Sequence, residues 1–254
     1  MRTEILYEDK SIMVIRKPAG LAVQSAGIGQ PDVVSELKSY LAKLPSAGRP
    51  GKGEPYLGIV HRLDQPVEGL LVFAKDKKAA ATLSKQLTEG ALNKHYYAVL
   101  CGYPDCPEGD LVDYLRKEGN VAVAVTGREQ EFADAKIAVL HYRILEEIND
   151  PSPLALADVT IGTGRFHQIR VQFAHAGFPL LGDTKYGMAA RKEAMPAQKY
   201  RGVALCAYSL ELVHPISGKK MGFRVVPKNP AFAGFAMEEL KKLTENETGI
   251  SKRG

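Results

Sequence analysis

The chain has few of the features that mark a metal centre, a disulfide framework or a membrane span. Its three cysteines, Cys101, Cys106 and Cys206, are odd in number and fit no zinc-ligand spacing. Reduced, structural thiols are what that pattern predicts. Six histidines, His61, His95, His141, His167, His175 and His214, form no short-spaced ligand pair, so no metal is expected. No apolar run approaches the roughly 18 residues of a membrane span, which predicts a chain with no membrane partner. The first residues, Met1 to Asp9, include no apolar signal segment, and a cytoplasmic location follows as the expectation. Charge of one sign is barely in excess: 34 basic against 29 acidic side chains, a net +5. That permits a polyanionic partner without requiring one.

What is present is an ordinary globular composition, 45% apolar and 25% charged over 254 residues, long enough to bury a real core. Without repeats or low-complexity segments, the chain reads as one domain over residues 1–243 with a polar tail over 244–254. Ile5–Tyr7 and Ser11–Arg16 read as strands joined by the turn Glu8-Asp9-Lys10. Asp32 is a candidate N-cap for a helix over 32–44, with Val33, Leu37, Tyr40, Leu41 and Leu44 at helical spacing. Pro45 to Pro55 is a long loop. Asp76 caps a second helix through Glu89. Strands are predicted at Leu70–Ala74, Lys94–Leu100, Leu111–Leu115, Val121–Val125, Ala135–Leu145, Leu154–Ile161, Ala204–Val213 and Met221–Val226. A C-terminal helix is predicted over Phe232–Leu243. Gly162-Thr-Gly164 is read as a helix start whose free N–H groups favour an anion, with Phe166, Ile169 and Phe173 on one helix face.

The stretch Gly58–Lys75 organises the rest. It sets His61, Arg62 and Asp64 just before the short apolar run Leu70–Ala74, which reads as a buried strand. A carboxylate beside apolar walls is costly to keep charged unless something pairs with it. A lone Asp before a proline would be read as a turn residue. Here two basic neighbours, and the later arginines Arg165 and Arg170, point to a chemical role. Alone, Arg165 reads as a solvated charge and Arg170 as a surface ion pair.

Seven pieces, in order, resemble the RluA-type pseudouridine synthase family. They are Ile-Leu-Tyr-Glu-Asp at 5–9, Lys-Pro-Ala-Gly-Leu at 17–21, His-Arg-Leu-Asp at 61–64 with Gly-Leu-Leu-Val-Phe-Ala-Lys at 69–75, Lys-His-Tyr-Tyr-Ala-Val at 94–99, Thr-Gly-Arg-Phe-His-Gln-Ile-Arg-Val at 163–171, Gly-Asp-Thr-Lys-Tyr-Gly at 182–187 and His-Pro-Ile-Ser-Gly at 214–218. The resemblance implies an α+β pseudouridine synthase fold: a mixed, largely antiparallel β-sheet flanked by helices and loops, with a central RNA-binding cleft. It implies isomerisation of uridine to pseudouridine in ribosomal or transfer RNA, with no cofactor and no metal. By the same resemblance Asp64 is the catalytic carboxylate, Tyr96 packs on the target base and Arg170 pairs with the carboxylate. Arg62 fills the gap left by the flipped nucleotide, Ile169 lines the base pocket, and His61, Arg165 and His167 face the RNA. No S4-like module is expected, since the matching pattern begins at residue 5, and a monomer is the default expectation.

The chemistry suits those residue types. A base inside a stack is out of reach, so it must be flipped out and its place held. A sugar losing its base is stabilised by a carboxylate, and a nearby arginine keeps that carboxylate charged. One departure stands out. Where the family has small hydroxyls after the Asp, this chain has Gln65-Pro66-Val67-Glu68. Pro66 can hold the loop by fixing its own φ, and Glu68 is expected to point outward or to pair with Lys or Arg. That departure supports an alternative: a non-catalytic RNA-binding protein that retains the cleft. A glycoside hydrolase pairing Asp64 with Glu68 or Asp183 ranks last.

Overall fold

The computed structural model describes residues 1–25, 27, 29–44, 54–126, 134–149, 152–187 and 202–236. Most of the 45–55 loop, and the helix predicted over Phe232–Leu243 beyond residue 236, lie outside the described residues. The chain divides into two compact units. The first comprises Met1–Lys94 with Ala207–Val225, the second His95–Cys206 with Val226–Gly254.

In the first unit, β1 (Glu4–Glu8) and β2 (Ile12–Lys17) form an antiparallel hairpin. Its turn is closed by the Asp9 carboxylate, which accepts from the Ser11 and Ile12 amides at 2.7 and 2.8 Å. β2 lies between β1 and β4 (Glu68–Ala74), and every residue of β2 and β4 is buried. The uninterrupted apolar run Leu70–Ala74 reflects that: a strand covered on both faces has no reason to alternate. β3 (Gly58–Ile59) pairs with β4, β10 (Leu205–Val213) lies on the other side of β4, and β11 (Lys220–Arg224) pairs with β10. Gly69 permits this packing. Its φ is +128°, and a Cβ there would lie 2.4 Å from the Ala207 carbonyl oxygen.

Both helices of this unit begin where a carboxylate can cap them. Asp32 accepts from the Ser35 amide at the start of α1 (Val33–Lys43), and Asp76 accepts from the Ala79 amide at the start of α2 (Lys77–Thr88). Val33, Val34, Leu37 and Leu41 bury the apolar stripe of α1. Ala79 and Leu83 bury that of α2, which lies against β4.

The second unit is a meandering antiparallel sheet of β5 (Asn93–Cys101), β6 (Glu108–Glu118), β7 (Val121–Val125), β8 (Lys136–Asn149) and β9 (Pro153–Ile161), in the order β5-β9-β8-β6-β7. α3 (Gln168–His175) packs on β6 and β7 over a small core of Leu115, Ala122, Ala138, Val171 and Tyr186. Gln172, fully buried, ties the helix to the sheet. Its amide donates to the Leu111 and Ala138 carbonyls and to the Asp113 carboxylate at 3.0, 3.3 and 2.9 Å. Strands that pair antiparallel in both units, with α1, α2 and α3 interspersed among them, make this an α+β fold.

α3 begins later than its glycines suggested. Gly162-Thr163 forms a bend, a turn follows at Phe166-His167, and the helix starts at Gln168 after His167, which adopts a left-handed φ of 52°. The Gln168 side-chain oxygen accepts from the Arg165 amide at 2.9 Å and from the Thr163 hydroxyl at 2.8 Å. An internal partner thus takes the amide that the sequence reading offered to an anion. Phe166 falls in the turn, 40% exposed, and not on a buried helix face. At the C-terminus the described residues include a 3-10 turn, Pro230–Phe232, capped by Asn229.

Candidate active site

The residues singled out from the sequence are divided between the units: His61, Arg62 and Asp64 in the first, Tyr96, Arg165, His167, Ile169 and Arg170 in the second.

Asp64 sits half-buried on the loop between β3 and β4. Its carbonyl accepts from the Val67 amide at 3.1 Å, which closes the turn that Pro66 stiffens. The next carbonyl, that of Gln65, is held twice, by the Gly20 amide at 2.8 Å and by Lys17 Nζ at 3.0 Å. Lys17 has no solvent exposure. Its ammonium also donates to the Pro18 and Leu21 carbonyls at 3.0 and 2.7 Å, so it meets three acceptors. Burial pushes its pKa down to about 7, while the charges of Asp64 and Glu68 pull the other way. The Lys-Pro-Ala-Gly motif is therefore more than a turn: its lysine fastens the backbone next to Asp64.

Glu68 pairs with a basic residue, but inside the protein. Its carboxylate lies 3.5 Å from Arg16 Nη2, with side-chain exposures of 4% and 10%. Both lie on the paired strands β2 and β4, so the departure from the resemblance at Glu68 takes the form of a buried charge pair. Arg62 is exposed and donates to the Gln24 side chain at 3.0 Å, a position open to a partner.

His61 departs from its expected contact with RNA. The ring is 8% exposed, its Nε2 accepts from the Val72 amide at 3.4 Å, and its Nδ1 has no hydrogen-bond partner. Burial, helped by the charge of Lys94, pushes its pKa from 6.5 to about 3. It packs as a neutral imidazole behind β4, because the strand that follows draws it into the core. This gives an acid-lability prediction. Between pH 6.5 and 3 the unfolded chain binds a proton that the folded one refuses, so stability falls as pH drops through that window. The slope reaches roughly 1.4 kcal/mol per pH unit. Urea unfolding of wild type and His61→Gln, compared from neutral to acid pH, checks this: the wild type should lose stability more steeply, and parallel slopes would remove the assignment.

In the second unit Tyr96 lies on β5 opposite Val159 and is 5% exposed, while Tyr97 on the other face is half-buried. Arg170, on α3, is 4% exposed and grips Asp183 with both arms of its fork: Nε to Oδ2 at 2.7 Å, Nη2 to Oδ1 at 2.9 Å. Asp183 also accepts from the Lys185 and Tyr186 amides at 3.0 and 3.3 Å. The sequence marks Asp183 as part of the Gly-Asp-Thr-Lys-Tyr-Gly motif and as a last-ranked hydrolase carboxylate, but not as the partner of Arg170. Its position just before a tight turn, in a segment rich in motif residues, was the available signal. Ile169 is buried beside Arg170. His167 Nδ1 lies 2.6 Å from the Tyr186 hydroxyl, and Arg165 Nε donates to the Ile137 carbonyl at 2.9 Å. Among the described residues no cluster of three or more His, Cys, Asp or Glu could hold a metal ion. Among them, too, no helix is long and apolar enough to cross a membrane.

Comparison with known proteins identifies the family. Residues 11–175 match the RNA pseudouridylate synthase family. Ribosomal large subunit pseudouridine synthase D of Zymomonas mobilis is 33% identical over 225 residues, covering 87% of this chain and 68% of that protein. The protein of the same name from Pseudomonas aeruginosa is 36% identical over 227 residues, covering 86% and 66%. The chain thus spans about two thirds of the length of these curated relatives. The solved structure of human RNA pseudouridylate synthase domain containing 4 superposes with a TM-score of 0.67 at 24% identity, over 94% of this chain and 93% of that one, a likeness of fold. The chain belongs to the RNA pseudouridylate synthase family, and its motifs place it with the RluA type.

Proposed function

We propose that this chain is an RNA pseudouridine synthase acting on large-subunit ribosomal RNA, with Asp64 as its catalytic carboxylate. The observation that carries the reading is the fastening of the Asp64 loop. The fully buried Lys17 and the Gly20 amide both hold the carbonyl of Gln65, in a segment that matches the family. A loop that only had to cross the surface would not need a buried ammonium to fix it.

The reaction is an isomerisation. The bond from C1′ to N1 of the uracil breaks, the base turns, a bond from C1′ to C5 forms, the C5 proton leaves and N1 gains one. Nothing is oxidised or reduced, so no cofactor is called for. Asp64 supplies negative charge to the sugar as the base departs. Tyr96 offers a flat face and a hydroxyl to the base, and Arg170 keeps the carboxylate charged. Arg62, exposed beside Asp64, takes the place of the flipped nucleotide. Ribosomal RNA is favoured over transfer RNA by the names of the relatives. On this reading the protein works in the cytoplasm, as a monomer.

Mapping pseudouridines by chemical adduct formation in RNA from a deletion strain tests the proposal. One or more large-subunit positions should revert to uridine and be restored by the intact gene. An identical map in both strains overturns it.

A further inference from the structure

Phe166 is the one residue of the Thr163–Val171 motif that the reading above leaves without work. Its ring is 40% exposed yet firmly mounted. It stacks on His167 with ring centroids 3.8 Å apart and planes inclined by 22°. His167 is fixed in turn by the Tyr186 hydroxyl, which accepts from the Ala122 amide at 2.8 Å.

A cation lies over the ring. Lys117 Nζ lies 4.9 Å from the Phe166 centroid. Lys117 is two residues beyond Leu115 on β6, and Lys136 lies directly opposite Leu115 on β8. Both therefore share the sheet face on which Leu115 meets α3. Arg165 flanks the ring in sequence and is anchored by its bond to the Ile137 carbonyl. Neither Lys117, Lys136 nor Arg165 forms an ion pair with another described residue.

A rigid exposed ring beside cations that pair with no described carboxylate has the make-up of a platform for single-stranded nucleic acid. Cations hold the phosphates and the ring takes a base. We propose that Phe166 stacks an unpaired base of the RNA other than the reacting uridine. Lys117 moves from the ring to a phosphate, and Lys136 and Arg165 hold neighbouring phosphates. This rests on the RNA-modifying reading and extends it to a contact that helps to select the substrate.

The test is fluorescence anisotropy of a fluorescein-labelled oligouridylate with the full chain. Phe166→Leu keeps an apolar group against His167 but has no aromatic face, whereas Phe166→Tyr keeps both. Phe166→Leu should weaken binding about tenfold and Phe166→Tyr should bind as the wild type does. Lys117→Gln should lower the slope of affinity against salt by about one phosphate contact. Leu, Tyr and wild-type proteins of equal affinity overturn the platform, as does a wild type that does not bind the oligonucleotide. An unchanged salt slope in Lys117→Gln removes Lys117 from it. The two proposals fail separately. A chain that binds through Phe166 but forms no pseudouridine keeps the platform and loses the synthase reading. One that forms pseudouridine, with Phe166→Leu indistinguishable from wild type, loses the platform alone.

Discussion

Asp64→Asn should fold, bind RNA and form no measurable pseudouridine. The substitution keeps the size of the side chain and removes its charge. Groups that transfer protons or donate electron pairs at the reacting atoms contribute roughly 100- to 10,000-fold, and a loss of at least that size is expected here. The fold should survive because the loop is held through its backbone: the Val67 amide on the Asp64 carbonyl, and Gly20 and Lys17 on the Gln65 carbonyl. None of those bonds uses the carboxylate. Lys17 would feel the change, since the Asp64 charge opposes the effect of burial on its ammonium. Single-turnover product formation on a ribosomal RNA transcript, measured beside RNA affinity and thermal midpoint, separates the outcomes. A variant as fast as wild type removes Asp64 from catalysis. A wild type that binds RNA and turns nothing over favours the non-catalytic alternative that the Gln65–Glu68 departure suggested.

The parts of this protein that were legible in its sequence depend on short-range signals. Asp32 and Asp76 announced their helices because a cap bonds within three residues of itself. The run Leu70–Ala74 announced a doubly covered strand because burial on both faces leaves no alternation. The motif pieces led to the family, and so to the fold class, in the same way. What stayed hidden depends on residues far apart in the chain. Lys17 meets the Gln65 carbonyl across 48 positions, and Arg16 meets Glu68 across 52. No local pattern marks a lysine at a strand end as fully buried, since lysine is seldom inside unless its partners are supplied by other segments. The start of α3 was misplaced for a related reason. Glycines mark a turn as readily as a helix start, and the Gln168 side chain, bonding back to Arg165, decided between them. His61 was misread because its charged neighbours suggested a polar setting, while the buried strand after it carried the ring inward.

Asp183→Ala should be the most destabilising of the substitutions considered. The Arg170 and Asp183 side chains are 5% and 0% exposed, so each charge has given up its water for the other. Such a pair adds little net stability compared with apolar residues of the same shape. Deleting one partner, however, takes from the other its two-armed ion pair inside the protein, at a cost of about 3–5 kcal/mol. The Lys185 and Tyr186 amides lose their acceptor as well, which loosens the turn carrying Tyr186. Arg170→Lys should not rescue the site, because a point charge cannot fill a two-armed geometry. Urea unfolding gives the size of the loss. Combining Asp183→Leu with Arg170→Met removes both charges, so the double variant should be more stable than either single one, a non-additivity expected for side chains in direct contact. Turnover of that double variant then separates two roles for Arg170. If stability returns while product formation stays lost, the arginine acts in the reaction as well as in the fold. If both return together, its work ends with Asp183, and the charge of Asp64 must be maintained by other groups.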